Sequence, residues 1–311
     1  MAEAAPRRRI LIIKHGALGD CILAMGPFAA IRSHHREAEI VLLTTAPFVE
    51  LARSSPYFDE VWSDPRPSVW APGAVLALRD RLRKGGFTRV YDLQTSGRSS
   101  AYFCLFSWPK PEWSGIVRGC SHPHHNPKRD AMHTIERQRE QLADAGIAAV
   151  PPPDISWLDG DIGGLGLPPR FALVVPGGAA HRPAKRWPPA AYAALVRWLA
   201  CQGLGAVLIG SAADREALGA IRADVPDAID LGGRTSFGQI AALARRAAAA
   251  VGNDTGPMHL IAVLGCPAVV LFSRESDPNL SAPRGPSVRL IAVDDLATLT
   301  PDVVSAAITI R

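Results

Sequence analysis

The sequence predicts an α/β protein built from two doubly wound domains in tandem. Three observations carry that expectation. Short apolar runs alternate with longer amphipathic runs along most of the chain, the pattern of parallel strands covered by helices on both faces. The alternation lapses in a Pro- and Gly-dense stretch, VPPPDISWLDGDIGGLGLPPR, and then starts afresh. The 311 residues, 48% of them hydrophobic, are enough for two cores rather than one.

Each element can be read in order. RRILIIKHG is a first buried strand, and LGDCILAMGPFAAIRSHH a helix bent near Gly26 and Pro27. AEIVLLTT is a strand, APFVELARSSP a short helix and DEVWSD a strand. VLALRDRLRKGG is a helix with a glycine stop, and TRVYDLQTS a strand. The segment from Ser99 to Thr134, rich in Pro, His and aromatic residues, reads as a long surface excursion before the helix TIERQREQLADAGI. The second series starts at FALVVPGG and alternates through strands GAVLIGS, AIDLGG, AAAVGND and PAVVLFS. Its helices include AAYAALVRWLACQG, ADREALGAIRADV, SFGQIAALARRA and GPMHLIAVLG. LTPDVVSAAITI has a Thr cap and Pro at the first helical position, so a last helix is expected there. The domains are expected at 1–160 and 161–311, with the last helix, about 300–311, packing back on the N-terminal domain.

Composition excludes several classes. With 20% charged residues the chain is globular rather than disordered. No apolar run reaches membrane-spanning length, and Lys14, His15 and Asp20 interrupt what would otherwise imitate a secretory signal. Five scattered cysteines with no CxxC pair argue for reduced, mostly packing thiols in a cytosolic protein and against a disulfide frame or structural zinc site. A net charge of +5 fits an anionic substrate, an anionic membrane surface or nucleic acid. No stacking-aromatic interleave or nucleic-acid motif accompanies it, which weighs against the last.

Ligands of doubly wound sheets bind where strands hand over to helices, and four such junctions carry unusual residues. In KHGALGD, Gly16 and Gly19 permit a tight turn; Asp20 is either a helix cap or a carboxylate available as general base. In VVPGGAAHRPAKRWPPAAY, Gly177 and Gly178 offer backbone amides, followed by His181, Arg182, Lys185 and Arg186 just before a helix start. Cations there oppose the helix dipole unless an anion sits between them, so a phosphate cradle is favoured over a solvated turn. In VLIGSAADREAL, Asp214 and Glu216 are expected caps that could also accept from ribose hydroxyls. In VGNDTGPMHLIAVLGCP, Asp254, Thr255, Gly256 and His259 outnumber what a turn requires and point to an anion at a helix start.

The ordered motifs KHGALGD, PGGAAHRPAKRWP and NDTGPMHL, together with DLQTSGRSS and HTIERQREQLA, resemble those of the ADP-heptose:lipopolysaccharide heptosyltransferase family. The likeness spans most of the chain. It implies two Rossmann-like domains in the GT-B architecture with an interdomain cleft. It also implies inverting transfer of a heptose or related sugar from an ADP-sugar to a lipopolysaccharide core or related glycan. Residue by residue, it implies Asp20 as base and Lys185 on the sugar-nucleotide, with Asp254, Thr255, Gly256 and His259 as the donor-binding run. Asp214 falls at the ribose, where Glu is familiar, and Thr235 near the adenine pocket. Gly177, Gly178 and their neighbours would face the diphosphate. Ala180 and His181 stand where the family has threonines, so a transferase with another nucleotide-sugar donor, or a non-catalytic nucleotide-sugar binder, is the rival reading. No cofactor and no obligatory metal are expected, since cationic side chains would neutralise the diphosphate.

For the acceptor, an anionic lipid-linked glycan, Arg98 and Arg118 are the candidate contacts, weighed evenly against ordinary surface arginines. His122, His124 and His125 read as a polar acceptor loop rather than a metal site. Arg7, Arg8 and Arg9 suggest peripheral contact with the cytoplasmic face of an inner membrane.

Overall fold

A computed structural model of the chain describes residues 7–68, 70–178 and 182–311. They form two compact units, Met1–Trp157 and Leu158–Arg311. The first unit holds strands β1 (Arg9–Ile13), β2 (Glu39–Thr44), β3 (Glu60–Ser63), β4 (Phe87–Asp92), β5 (Glu112–Gly115) and β6 (His122–Pro123). The second holds β7 (Phe171–Val175), β8 (Gly205–Leu208), β9 (Ile229–Asp230), β10 (Ala249–Asn253), β11 (Ala268–Phe272) and β12 (Val288–Ala292).

Each unit is one six-stranded sheet, ordered β3-β2-β1-β4-β5-β6 and β12-β11-β10-β7-β8-β9. All pairings are parallel. Counted from its own first strand, each sheet runs 3-2-1-4-5-6, the Rossmann order. The α/β class of two Rossmann-like domains is therefore the one the sequence predicts. In this order the winding reverses between the first and fourth strands, and the crevice at their carboxyl ends is where such sheets take ligands.

The strands read as near-continuous apolar runs because helices cover both faces. In the first unit Leu11, Ile13, Val41, Leu43 and Val90 pack with Trp113. In the second, Ala172, Val174, Val251 and Leu271 pack with Leu195 and Leu199 of the helix Pro189–Cys201. The last helix, Pro301–Ala307, belongs to this same core: Val304 is fully buried in it. Beyond it, the Arg311 guanidinium donates to the carbonyls of Ala244, Arg245 and Ala247. Its apolar face is used within the second unit.

Three local readings also change. The first helix breaks at Ala24, giving Leu18–Leu23 and Met25–His34, so Pro27 sits in a first turn where its missing N–H costs little. The segment Ser99–Thr134 is no surface excursion: it supplies β5 and β6, and Trp113 on β5 is wholly buried against the edges of Phe103 and Phe106. These strands of four and two residues are too short to show a period. Likewise β12 escapes notice because it is a largely exposed edge strand.

Removing Trp113 tests whether this segment is core. Trp113→Ala should destabilise the first unit by about 3–5 kcal/mol in urea unfolding. A loss under about 1 kcal/mol would mean the segment contributes little to the core.

Candidate functional site

In the second unit the expected residues fall at the carboxyl ends of four strands that are neighbours in the order β10-β7-β8-β9. Asp254, Thr255, Gly256 and His259 follow β10. Gly177, Gly178 and Lys185 follow β7, Asp214 follows β8, and Thr235 follows β9. The first two groups meet at the switch point. Lys185 Nζ donates to Asp254 Oδ2 at 3.0 Å, both side chains largely buried. His259 Nε2 lies 3.9 Å from Asp254 Oδ1, beyond direct hydrogen-bond distance. Burial would raise the Asp254 carboxyl, but His259 and Lys185 beside it outweigh that and hold it below the usual carboxylate range.

Asn253, the last residue of β10, joins the pieces. Its amide is fully buried. Nδ2 donates to the carbonyls of Pro176 (2.9 Å) and Gly177 (3.0 Å). Oδ1 accepts from Trp187 N (3.1 Å) and Tyr192 Oη (2.9 Å). One side chain thus fixes the Gly-Gly loop, the turn after Lys185 and the following helix.

The helix Gly256–Val263 starts beside this bolt, with Thr255 as N-cap and Pro257 in its first turn. Thr255 makes no side-chain cap bond, and its buried Oγ1 has no partner among the described residues. The same is true of Nδ1 of His259, a residue only 5% exposed. Unpartnered buried polar atoms are costly unless a ligand meets them. Together with Lys185 and the positive end of the helix dipole, they make a site chemically suited to an anion.

Asp214 is committed locally. Oδ2 accepts from Ser211 N (2.9 Å) and Oγ (2.7 Å), closing a capping box. Oδ1 accepts from Gly178 N and Arg186 Nη2, both at 3.3 Å. Gly177 must be glycine here, since a Cβ would come within 2.8 Å of Asp214 Oδ2. Glu216 is exposed, and Thr235 is half-buried just before the Ser236 cap. His181, and Ala180 before it, lie outside the described residues.

In the first unit Asp20 stands in the first turn after β1, half-buried, with Oδ2 accepting from Ala17 N at 3.2 Å. Gly16, at φ +107°, makes the turn that places it. At the end of β4, Asp92 is wholly buried, and its Oδ1 accepts from the amides of Gln94 (3.1 Å) and Thr95 (2.9 Å). Gln94 Oε1 in turn accepts from His15 N at 2.9 Å, tying this loop to the one bearing Asp20. Burial pushes the Asp92 carboxyl up to about 6 despite the Thr95 amide, the Ser99 hydroxyl and His15. His15 Nε2 pairs with buried Asp64 Oδ2 at 2.6 Å.

Arg98 and Arg118 are both exposed and are not brought onto a shared partner: Arg98 Nη1 donates to the Pro67 carbonyl at 2.7 Å, and Arg118 sits in the turn after β5. The three histidines go separate ways. His122 Nε2 bonds Arg89 Nη2 at 2.6 Å, His124 is buried 3.6 Å from Glu140, and His125 is exposed. Among the described residues no three or more metal-capable side chains cluster. Arg9 is occupied by Glu39, Glu60 and the Gly85 carbonyl, leaving Arg7 and Arg8 exposed. All five cysteines are free; Cys21, Cys120 and Cys266 are buried, Cys104 and Cys201 exposed. No helix among the described residues is long and apolar enough to cross a membrane.

Sequence reasoning passed over Asn253 and Asp92, whose roles as buried bolts show only once their partners are placed.

The model of glycosyltransferase family 9 (heptosyltransferase) matches residues 75–301. The lipopolysaccharide heptosyltransferase 2 of Escherichia coli K12 is 38% identical over 119 residues, covering 37% of this chain and 34% of that protein. The alignments thus reach about a third of the length of the curated relatives. Among solved structures, E. coli ADP-heptose lipopolysaccharide heptosyltransferase II matches with TM-score 0.75 at 24% identity, covering 96% of this chain and 97% of that one. E. coli heptosyltransferase WaaC with ADP-2-deoxy-2-fluoro heptose matches with TM-score 0.73 at 20% identity, covering 96% and 98%. At these identities the structural likeness is one of fold.

Two variants test the bolts. Asn253→Leu keeps the volume but takes this partner from the Pro176 and Gly177 carbonyls and the Trp187 amide, and should cost about 3 kcal/mol or more in denaturant unfolding; a cost under about 1 kcal/mol would show that the loops do not depend on it. Asp92 has its folded-state value raised above the unfolded one, so its contribution is greatest below about 4 and is lost as pH rises through about 6. Asp92→Asn should flatten that fall when stability is compared at acidic and neutral pH; an unchanged slope would contradict the assignment.

Proposed function

Because the chain belongs to glycosyltransferase family 9 (heptosyltransferase), we propose that it transfers a heptose from an ADP-sugar to a lipopolysaccharide core glycan, with inversion at the anomeric carbon. The observation that carries the donor half is the anion-suited pocket at the β7/β10 switch point: Lys185, Thr255 Oγ1, His259 Nδ1 and the start of the helix Gly256–Val263. The fold-sharing WaaC was solved with an ADP-heptose analogue, which supports the choice of donor.

In this reading the donor lies along the carboxyl edge of the second sheet. Its diphosphate meets the Gly177–Gly178 loop, Lys185 and the Gly256 helix start. Asp254 holds Lys185 and His259 in place. Asp214 shapes the Gly-Gly loop beneath the ribose, and Thr235 lies toward the base. The acceptor hydroxyl is bound by the first unit, where Asp20 takes its proton as the oxygen attacks the anomeric carbon. The bond to the diphosphate breaks as the new glycosidic bond forms on the opposite face. The charge growing on departing ADP is met by Lys185 and fixed backbone dipoles, which do the work a metal would otherwise do. The transition state is oxocarbenium-like, and one displacement inverts the centre. The acceptor is an anionic lipid-linked glycan, and the protein works at the cytoplasmic face of the inner membrane, with Arg7 and Arg8 available for peripheral contact.

Transfer from ADP-heptose to a heptose-deficient lipopolysaccharide core, followed by mass spectrometry, tests this directly. Asp20→Asn should lower kcat by about a thousandfold with the fold intact, and Lys185→Met by about a hundredfold or more with weaker donor binding. Wild-type turnover of UDP-sugars but not ADP-heptose would overturn the donor. Near-normal kcat in Asp20→Asn would overturn the base.

A further inference from the structure

Just ahead of Asp20, one residue is gripped by the segments that leave three neighbouring strands. His15 follows β1. Thr45 Oγ1, after β2, donates to its carbonyl at 2.7 Å. Gln94 Oε1, after β4, accepts from its amide at 2.9 Å. Asp64, after β3, places Oδ2 2.6 Å from Nε2 of its ring. The next residue is Gly16, where a Cβ would run into the Phe48 ring. The chain therefore has little room between His15 and the turn that presents Asp20. Asp20 Oδ2 in turn accepts from the amide of Ala17, only two residues beyond His15.

Asp64 is the costly member of this arrangement, because its side chain is wholly buried. Burial would raise its carboxyl, but His15, the Arg66 amide and the Tyr102 hydroxyl outweigh that and hold it below the usual carboxylate range. Tyr102 Oη donates to Oδ2 and Arg66 N to Oδ1, both at 2.8 Å. The Tyr102 ring also stands edge-on to the His15 ring, with centroids 6.1 Å apart. Arg66 is held at φ +48°, a conformation uncommon outside glycine. A buried ionisable pair seldom stabilises a fold more than apolar side chains of the same volume. What it adds is direction. Donors from three segments orient the Asp64 carboxylate, and the carboxylate orients the imidazole.

We propose that Asp64, acting through His15 and braced by Tyr102, is a positioning residue for Asp20: the cluster sets the turn from Gly16 to Asp20 so that the carboxylate meets the acceptor hydroxyl. This rests on Asp20 being the base, as in the proposed function. The cluster acts through the turn, not on the reacting atoms. A small displacement of a base costs rate rather than donor affinity, so its effect falls on kcat.

The first test needs no substrate. Hydrogen exchange on the full chain should quicken about tenfold in Asp64→Asn at the amides of Ala17 and Cys21, which bond Asp20 Oδ2 and the Ala17 carbonyl. The amide of Asp254 in the other unit, bonded to the Leu271 carbonyl, should exchange as in wild type. In transfer assays Asp64→Asn should lower kcat about tenfold and leave KM for ADP-heptose within about twofold. Tyr102→Phe, a milder change, should show the same split to a smaller degree. His15→Gln, which can still donate to Asp64, should recover most of what His15→Ala loses. Placed in the Asp20→Asn background, Asp64→Asn should lower kcat no further, whereas a merely structural role would cost the same factor in both backgrounds. Unchanged exchange at the turn, or an equal loss in both backgrounds, would overturn the proposal. Near-normal kcat in Asp20→Asn would remove the base and this inference with it. A slow Asp20→Asn beside a fully active Asp64→Asn would remove this inference and leave the base standing.

Discussion

The second unit's site depends on one buried amide. Asn253 closes β10 and uses both ends of its side chain to join loops far apart in sequence. Without it, the carbonyls of Pro176 and Gly177 and the amide of Trp187 would need other partners in a place closed to water. Each such bond is worth about 1 kcal/mol net, but each orphan costs more. The loop that presents Gly177 and Gly178 is therefore held at both carbonyls before any ligand arrives, which suits the proposed stabilisation of a leaving diphosphate.

The first unit repeats the device with a different residue. Asp92 ends β4, the same place in the winding that Asn253 occupies at the end of β10. It too is fully buried and gathers the amides of the loop that follows, and through Gln94 it reaches the loop after β1. The chemical difference matters. An amide holds its partners at any pH, whereas a buried carboxyl pushed up to about 6 carries a cost when it ionises.

Much of this was legible in the residues. Strand-helix alternation gave the class, and over-furnished junctions such as NDTGPMHL marked the switch points, because capping needs only one polar residue where several stand. Lys185 was legible through its conflict with a helix dipole. The strands β5 and β6 were hidden by their shortness and by the Pro and His residues around them. Asp214 illustrates a different limit. Sequence can say that an acid lies at a helix start, but its engagement with Gly178 and Arg186 needs the fold to bring β7 and β8 side by side.

The proposed function turns on the β7/β10 switch point being the seat of a nucleotide diphosphate. The orphaned Thr255 Oγ1 and His259 Nδ1, the Lys185–Asp254 pair and the open helix start all converge there. A crystal structure of the protein with ADP tests this most directly. The account predicts the diphosphate against the Gly177–Gly178 loop, within reach of Lys185 and the start of the helix Gly256–Val263. ADP bound elsewhere on the chain, with Thr255 and His259 still unpartnered, would contradict it.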